Sequence, residues 1–586
     1  MNIKKIFLTI IAIVMVTAGG WAVEVEIDGI NYNVVTRGKA ATVISKKDTR
    51  YTGDVEIPAS IIVEEVEFTV TSIGEAAFSG CTGLTSVNIP SSVTTIGNNA
   101  FWNCTGLTSV DIPSSVTTIG GSCFSGCKRL TSVTIPSSIT SIGSGTFYGC
   151  KSLSSVNIPS SVTSIGEVAF SGCTGLTSVN IPSSVTTIGN EAFYGCTSLT
   201  SLIIPSSITS IENKTFCNCT ALTSVNIPSS VTSIGDWAFS GCAGLTSMII
   251  PSSVTSIGQS AFSVCTGLTS VIIPPFVTRI RMSTFEKCTG LTSVTIPSSV
   301  IYIDPYAFQN CTGLTSVTIP LSVISIGDYA FNECKGLTSV VISSSVTEIG
   351  AWAFYDCAEL ADVYCYAETP PRTRVYYEKD IFYGSYPEFS TLHVPTSAIE
   401  AYRTTEPWSK FGTIVAIDGI EPVVPQCEKP IIHFANGKLS FECETEGVEF
   451  VSEITDADIR TYYSNEIVLS ATYNITVYAQ KTDYEDSEIT TATLCWIEAE
   501  PQTEGITDDA VSVKEVKAVP VLIQTSGTQL SIEGAPTGAG IAIFDLNGRL
   551  IGQTKVAATG ITKLAVPSGE KMLIVKVGDK SVKVVK

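Results

Sequence analysis

"GLTSVNIPSSVTTIGNEAFYGCT", residues 175–197, decides the fold, because nearly the same words stand 23 residues before and 23 after it. Phe recurs at 78, 101, 124, 147, 170, 193, 216, 239, 262, 285, 308, 331 and 354. Cys follows each Phe by three, from Cys81 to Cys357. A period held without slip over 13 copies means a stacked-repeat architecture. One unit reads L-x-x-V-x-I-P-x-x-V-x-x-I-G-x-x-A-F-x-x-C. Val179 and Ile181 alternate with Ser178 and Asn180, the period of a strand, so Leu176, Val179 and Ile181 point inward and Thr177, Ser178 and Asn180 outward. Pro182 has no N–H and ends the pairing. "VTTIG" is a second extended piece with Val185 and Ile188 inward. The Gly after it suits a turn, although Glu212, Arg281 and Asp304 take its place in three copies, so a positive φ is not required there.

A 23-residue coil cannot bury its own apolar edge. Stacked coils bury each other's, in ladders of Leu, Val, Ile, Phe and Cys. Adjacent rungs of a parallel sheet lie about 4.8 Å apart. In-register Cβ atoms at that spacing are too distant for a disulfide, which needs about 3.8 Å. The 13 repeat cysteines therefore read as buried, reduced core residues. Cys217 falls at an outward-looking place in its coil. Cys427, Cys443 and Cys495 share one later domain, and both a bridge and free thiols remain open for them and for Cys365.

The motif L-x-x-V-x-I-P-x-x-V-x-x-I-G-x-x-A-F-x-x-C resembles the BspA-like leucine-rich repeat of bacterial surface proteins, over about residues 55–360. It has Pro where the better-known leucine-rich consensus has Asn. The expected fold is mainly β: a solenoid of about 13 coils with caps and little helix, followed by two small β-sandwich-like domains. Residues 72–360 form the regular array. Residues 23–71 read as an N-terminal cap and a first irregular coil, in which Pro58 precedes Pro90 by 32 rather than 23. Residues 361–418 read as a degenerate coil and C-terminal cap, since "TLHVPTSAIEAYRTTEPW" restates L-x-V-P at Leu392–Pro395 and then turns helical.

The termini carry different signals. Residues 1–22 have Lys4 and Lys5 before an apolar run, with Gly20 and Ala22 at −3 and −1 of a cleavage site before Val23, the pattern of a secretory signal peptide. "GIEPVVPQ", 419–426, is a Pro-containing linker. Residues 427–498 show strand alternation and an Asn436-Gly437 turn, and resemble chitobiase C-terminal-like domains. Residues 499–515 are an acidic linker. Residues 516–586 are strand-like and net basic. Their "IFDLNGR" and terminal "VKVVK" resemble type IX secretion sorting domains, which implies a role in export or attachment.

Composition narrows the function. A net charge of −20 gives no footprint for nucleic acid. Two His, His393 and His433, lie in different domains and offer little for His-based catalysis or a zinc site. No catalytic residue, metal or cofactor is expected. The outward strand positions form three stripes. Two are nearly constant, Thr85 to Thr338 and Ser86 to Ser339, a hydroxyl-rich platform for an extended partner or simply soluble β-formers. The third varies, and at Ile203, Asn226, Ile249 and Ile272 apolar residues gather amid Ser and Thr. These four are the candidate partner-binding residues. The resemblance implies an exported or cell-surface protein, outer membrane-associated or secreted, that adheres to extracellular proteins such as fibronectin or fibrinogen, or to other cells. A glycan-binding or carbohydrate-active accessory and a structural spacer are the alternatives.

Overall fold

Each 23-residue unit closes into a three-sided coil. The computed structural model describes residues 22–417 apart from 48 and 378, residue 421, and most of 427–585. The larger stretches outside it are 1–21, 457–471 and 499–517. The signal peptide, the 419–426 linker, the Asn436-Gly437 turn and the acidic linker therefore lie wholly or largely outside the described residues.

The first side is the short strand predicted from "LTSVNI". Ser178–Asn180 pairs in parallel and in register with Ser155–Asn157, Val179 opposite Val156. The inward and outward residues are those that alternation assigns: Leu176, Val179 and Ile181 are buried, and Thr177, Ser178 and Asn180 exposed. The second side is a two-residue strand, such as Thr187–Ile188 against Ser164–Ile165. At the corner between them Val185 N–H donates to Pro182 O at 3.0 Å, a turn that the Pro starts by leaving the ladder.

The third side is not a strand. Alternate N–H groups there donate to the next coil: Ala76 to Asn98 O (2.9 Å), Phe78 to Ala100 O (2.7 Å) and Gly80 to Trp102 O (2.7 Å). This geometry needs two left-handed residues per coil, two before and two after each Phe. Asn99 and Asn103 have φ of 55° and 55°, and Trp237 and Gly241 have 55° and 75°. The Gly after the second strand is different. Gly189 is not left-handed; a Cβ there would stand 2.6 Å from Glu167 N, so Gly is favoured by the close approach of the previous coil, not by a turn.

The core follows from this closure. The Phe rings stack from Phe78–Phe101, 5.1 Å between centroids, to Phe354–Phe382, 5.9 Å. The column thus runs one ring past the regular period. Every repeat Cys is buried and unbridged. From Cys104 on, each sends its Sγ to the carbonyl of the preceding coil's Phe, from 3.0 Å for Cys104–Phe78 to 3.3 Å for Cys196–Phe170. Cys217 is buried too, against the outward-looking reading of its place.

Both ends are closed. Ala22–Ile27, Ile30–Val35 and Ala40–Ile44 form an antiparallel meander that pairs in parallel with Val66–Ile73. The extra residues of the first coil make a hairpin, Ser60–Val63 with Val66–Ile73, turned at Glu64 and Glu65, both at positive φ. At the other end Asp362–Cys365 pairs with Thr391–Val394, and that strand with Thr413–Ala416. Helix Ile399–Thr404 lies between the last two strands, and buried Tyr402 and Trp408 pack edge-on beside Phe382.

Residues Val424–Lys586 form a second compact unit. Its six-stranded sheet crosses the boundary expected between two domains: Thr490–Glu498 pairs with Ala518–Ser526 across the acidic linker. Two apolar cores persist, one around Ile475 and Leu494 and one around Ile523 and Leu573. Cys443 is unbridged and its Sγ donates to Glu428 O at 3.1 Å.

Candidate functional site

The first side presents the three outward stripes. The Thr stripe is exposed, but its hydroxyls serve the solenoid itself. Thr131 Oγ1 donates to Thr108 O (3.2 Å), Thr177 Oγ1 to Ser154 O (3.1 Å), and Thr338 Oγ1 to Thr315 O (3.0 Å). Each hydroxyl thus ties one coil to the one before it, a physical reason for its constancy. A similar tie runs along the Pro corner: Ser253 Oγ donates to Val231 O and Ser299 Oγ to Val277 O, both at 2.7 Å.

Against this ladder the variable stripe stands out. Ile203 is 72% exposed and lies opposite Asn226, also exposed, on the next strand. Ile249, one rung further, is 47% exposed. Ile272 is only half-buried, and beyond it Thr295 is buried. The fully open part of the stripe therefore runs from Asn88 to Ile249 and ends near Ile272, and Ile203 and Ile249 are the exposed apolar residues within it.

One further exposed apolar residue lies at the Pro corner of the coil that carries Ile272. The coil at Pro274 reads "PPFV" where most others read "PSSV" or "PSSI". Phe276 replaces the corner Ser, so it has no hydroxyl to give to the coil before, and it is 63% exposed. An exposed Phe in place of a structural hydrogen bond breaks the local rule of the repeat. The signal was present in the repeat alignment.

The sites considered for chemistry remain separate. His393 continues the variable stripe, stacked on Tyr364 with centroids 4.2 Å apart and 2.8 Å from Asp362 Oδ1. His433 lies in the second unit. Among the described residues no group of three or more His, Cys, Asp or Glu is placed to hold a metal ion.

Models of the BspA type leucine-rich repeat region match six copies, over residues 60–177, 164–291, 234–361 and 278–400. The chain belongs to the BspA-type leucine-rich repeat family. A leucine-rich repeat protein from Bacteroides ovatus is similar in structure, with a TM-score of 0.54 and 32% identity, covering 63% of this chain and 99% of its own. A leucine-rich cell surface protein from Faecalibacterium prausnitzii gives 29% identity and a TM-score of 0.38, covering 58% of this chain and 94% of its own. No curated protein matches in sequence. The BspA-type match ends at residue 400 and so carries no statement about the second unit. Membership of this repeat family points to protein interaction as the general role, carried by the continuous solenoid surface.

Proposed function

We propose that this BspA-type protein is exported to the cell surface and adheres to extracellular proteins through the first side of its solenoid, without catalysing a reaction. The observation that supports this reading is the exposed apolar pair Ile203 and Ile249 on a side lined largely by Thr, Ser, Asn and Asp, with exposed Phe276 at the neighbouring Pro corner. Asn226 lies between the two Ile, and Ile272 forms the half-buried margin of the patch. Isolated exposed apolar residues are ordinary, but a cluster in an extended polar face is the mark of an interaction surface. Burying each such side chain against a partner contributes about 1.5–3 kcal/mol.

Export is supported by the pattern of residues 1–22. No helix among the described residues is long and apolar enough to cross a membrane. We assign residues 516–586 to export or attachment on their basic charge and strand pattern. The partners proposed are host matrix proteins such as fibronectin and fibrinogen, or proteins on other cells. A screen of the purified full chain against immobilised matrix proteins and whole cells, with a polysaccharide hydrolysis assay alongside, tests the reading. Saturable protein binding without hydrolysis is expected. Hydrolysis, or no binding to any protein or cell, would overturn it.

A further inference from the structure

A second surface lies on the third side, at the C-terminal end of the solenoid. The left-handed position two residues before each stacking Phe carries Ser260, Ser283, Tyr306, Tyr329 and Trp352 in successive coils. Tyr306 and Tyr329 stack with centroids 4.7 Å apart and planes 13° from parallel. Trp352 meets Tyr329 edge-on at 5.0 Å, and its Nε1 donates to Tyr376 O at 3.2 Å. Tyr376 and Tyr377, in the segment that follows the last regular coil, extend the array and are exposed.

We propose that this aromatic array is a binding site for a neutral glycan, with a sugar ring seated on the open face of Tyr306. The column stops at Ser283, whose side chain is too short to cover a ring. Tyr306 therefore stacks on an aromatic partner on one side only, and the next rung of the column has no ring. A pyranose brings an apolar C–H face to such a ring and hydroxyls to its rim. Polar groups stand along the same array: Tyr329 has the phenols of Tyr306, Tyr376 and Tyr377 and the Asp328 carboxylate as neighbours. Burial, then the neighbouring phenols, holds Tyr329 above its ordinary pKa, so it stays a neutral donor and acceptor.

The charges argue for a neutral ligand. Arg374 lies 2.7 Å from Glu348 and 4.0 Å from Asp328. Lys379 sits over the rings of Tyr383 at 4.4 Å and Tyr355 at 5.5 Å. Arg374 is shared by two carboxylates and Lys379 is engaged by rings, so neither cation is free to pair with a polyanion.

The test is native affinity electrophoresis of the full chain in gels holding a soluble β-glucan, xylan or mannan, with hyaluronan as the polyanion. Tyr306→Gly removes the ring at a left-handed position that Gly adopts freely. Tyr377→Ala, at a residue 76% exposed, removes one phenol of the array without touching the core and decides the matter should Tyr306→Gly unfold. At least one neutral glycan is expected to retard the parent, with affinity falling about tenfold or more in Tyr306→Gly and measurably in Tyr377→Ala. No retardation by any neutral glycan, retardation by hyaluronan alone, or unchanged affinity in the folded variants would overturn the proposal. Loss of a protein ligand in these variants, without glycan binding, would assign the array to a protein partner and overturn it equally.

Discussion

Cys127 Sγ lies 3.1 Å from the carbonyl oxygen of Phe101, across the boundary between one coil and the next. The residue that looks like half of a disulfide scaffold is thus a donor that fastens its coil to the preceding Phe. It combines a small apolar volume with a weak S–H donor, which suits an acceptor in a dry core. Replacing Cys196 by Ala should cost about 1–2 kcal/mol in urea unfolding, from the lost contact and the lost thiol bond together. In thiol titration the 13 repeat cysteines should be unreactive in native protein and reactive after denaturation. Bridges between rungs, or native reactivity of these thiols, would contradict the packing described.

Alkaline pH should unfold the solenoid. Burial lifts the thiols of Cys173, Cys219, Cys288 and Cys357 from 9.0 to about 12, and that of Cys81 to about 11. Below pH 9 folded and unfolded chains both keep these protons. Above it the unfolded chain releases them and the folded chain does not, so stability falls as pH rises toward 12. Each thiol contributes up to about 1.4 kcal/mol per pH unit in that window, and many act together. The melting temperature should therefore drop steeply between about pH 9 and 11. A flat profile over that range would contradict buried, protonated thiols.

The left-handed corners make opposite predictions for two substitutions. Val264 holds φ at 61° where most coils have Gly or Asn, a costly setting for a β-branched residue. Val264→Gly should raise stability by about 0.5–1 kcal/mol. Gly195, with φ at 66°, should lose about 1–2 kcal/mol on change to Val. Both are read from chemical denaturation, and equal signs for the two would contradict the assigned backbone.

How far the sequence speaks depends on which atoms do the work. The strand of "LTSVNI" and its inward Leu176, Val179 and Ile181 were legible, because alternation is written in side chains. The third side was not. The position two before Phe holds Asn99, Val168, Lys214 and Trp237 with one shared backbone conformation, so residue type carries no signal for it. Two after Phe the run of Gly and Asn did carry one. The Thr stripe was readable as outward, but its bonds to the carbonyls of the coil before are invisible in sequence, since those acceptors are main-chain. Phe276 was visible as a departure from "PSSV". The C-terminal pairing of Thr490–Glu498 with Ala518–Ser526 was not, because it joins strands across a linker.

Removing residues 424–586 should separate binding from location. The solenoid and its caps form their own compact unit, so the truncated chain should fold and bind as the parent does. In cells it should fail to reach the surface and should be found by fractionation elsewhere. Normal surface display of the truncated protein would contradict a sorting or attachment role for the tail.

The adhesion surface is tested most directly by surface plasmon resonance of the parent and of the Ile203→Asp/Ile249→Asp variant on the matrix protein that the parent binds. Both side chains are exposed, so the variant should melt within a degree or two of the parent, a surface change being worth about 0.5 kcal/mol or less. Binding should weaken at least about tenfold, since each Ile buried against a partner contributes about 1.5–3 kcal/mol. Undiminished binding by the folded variant would contradict the placement of the contact on this face.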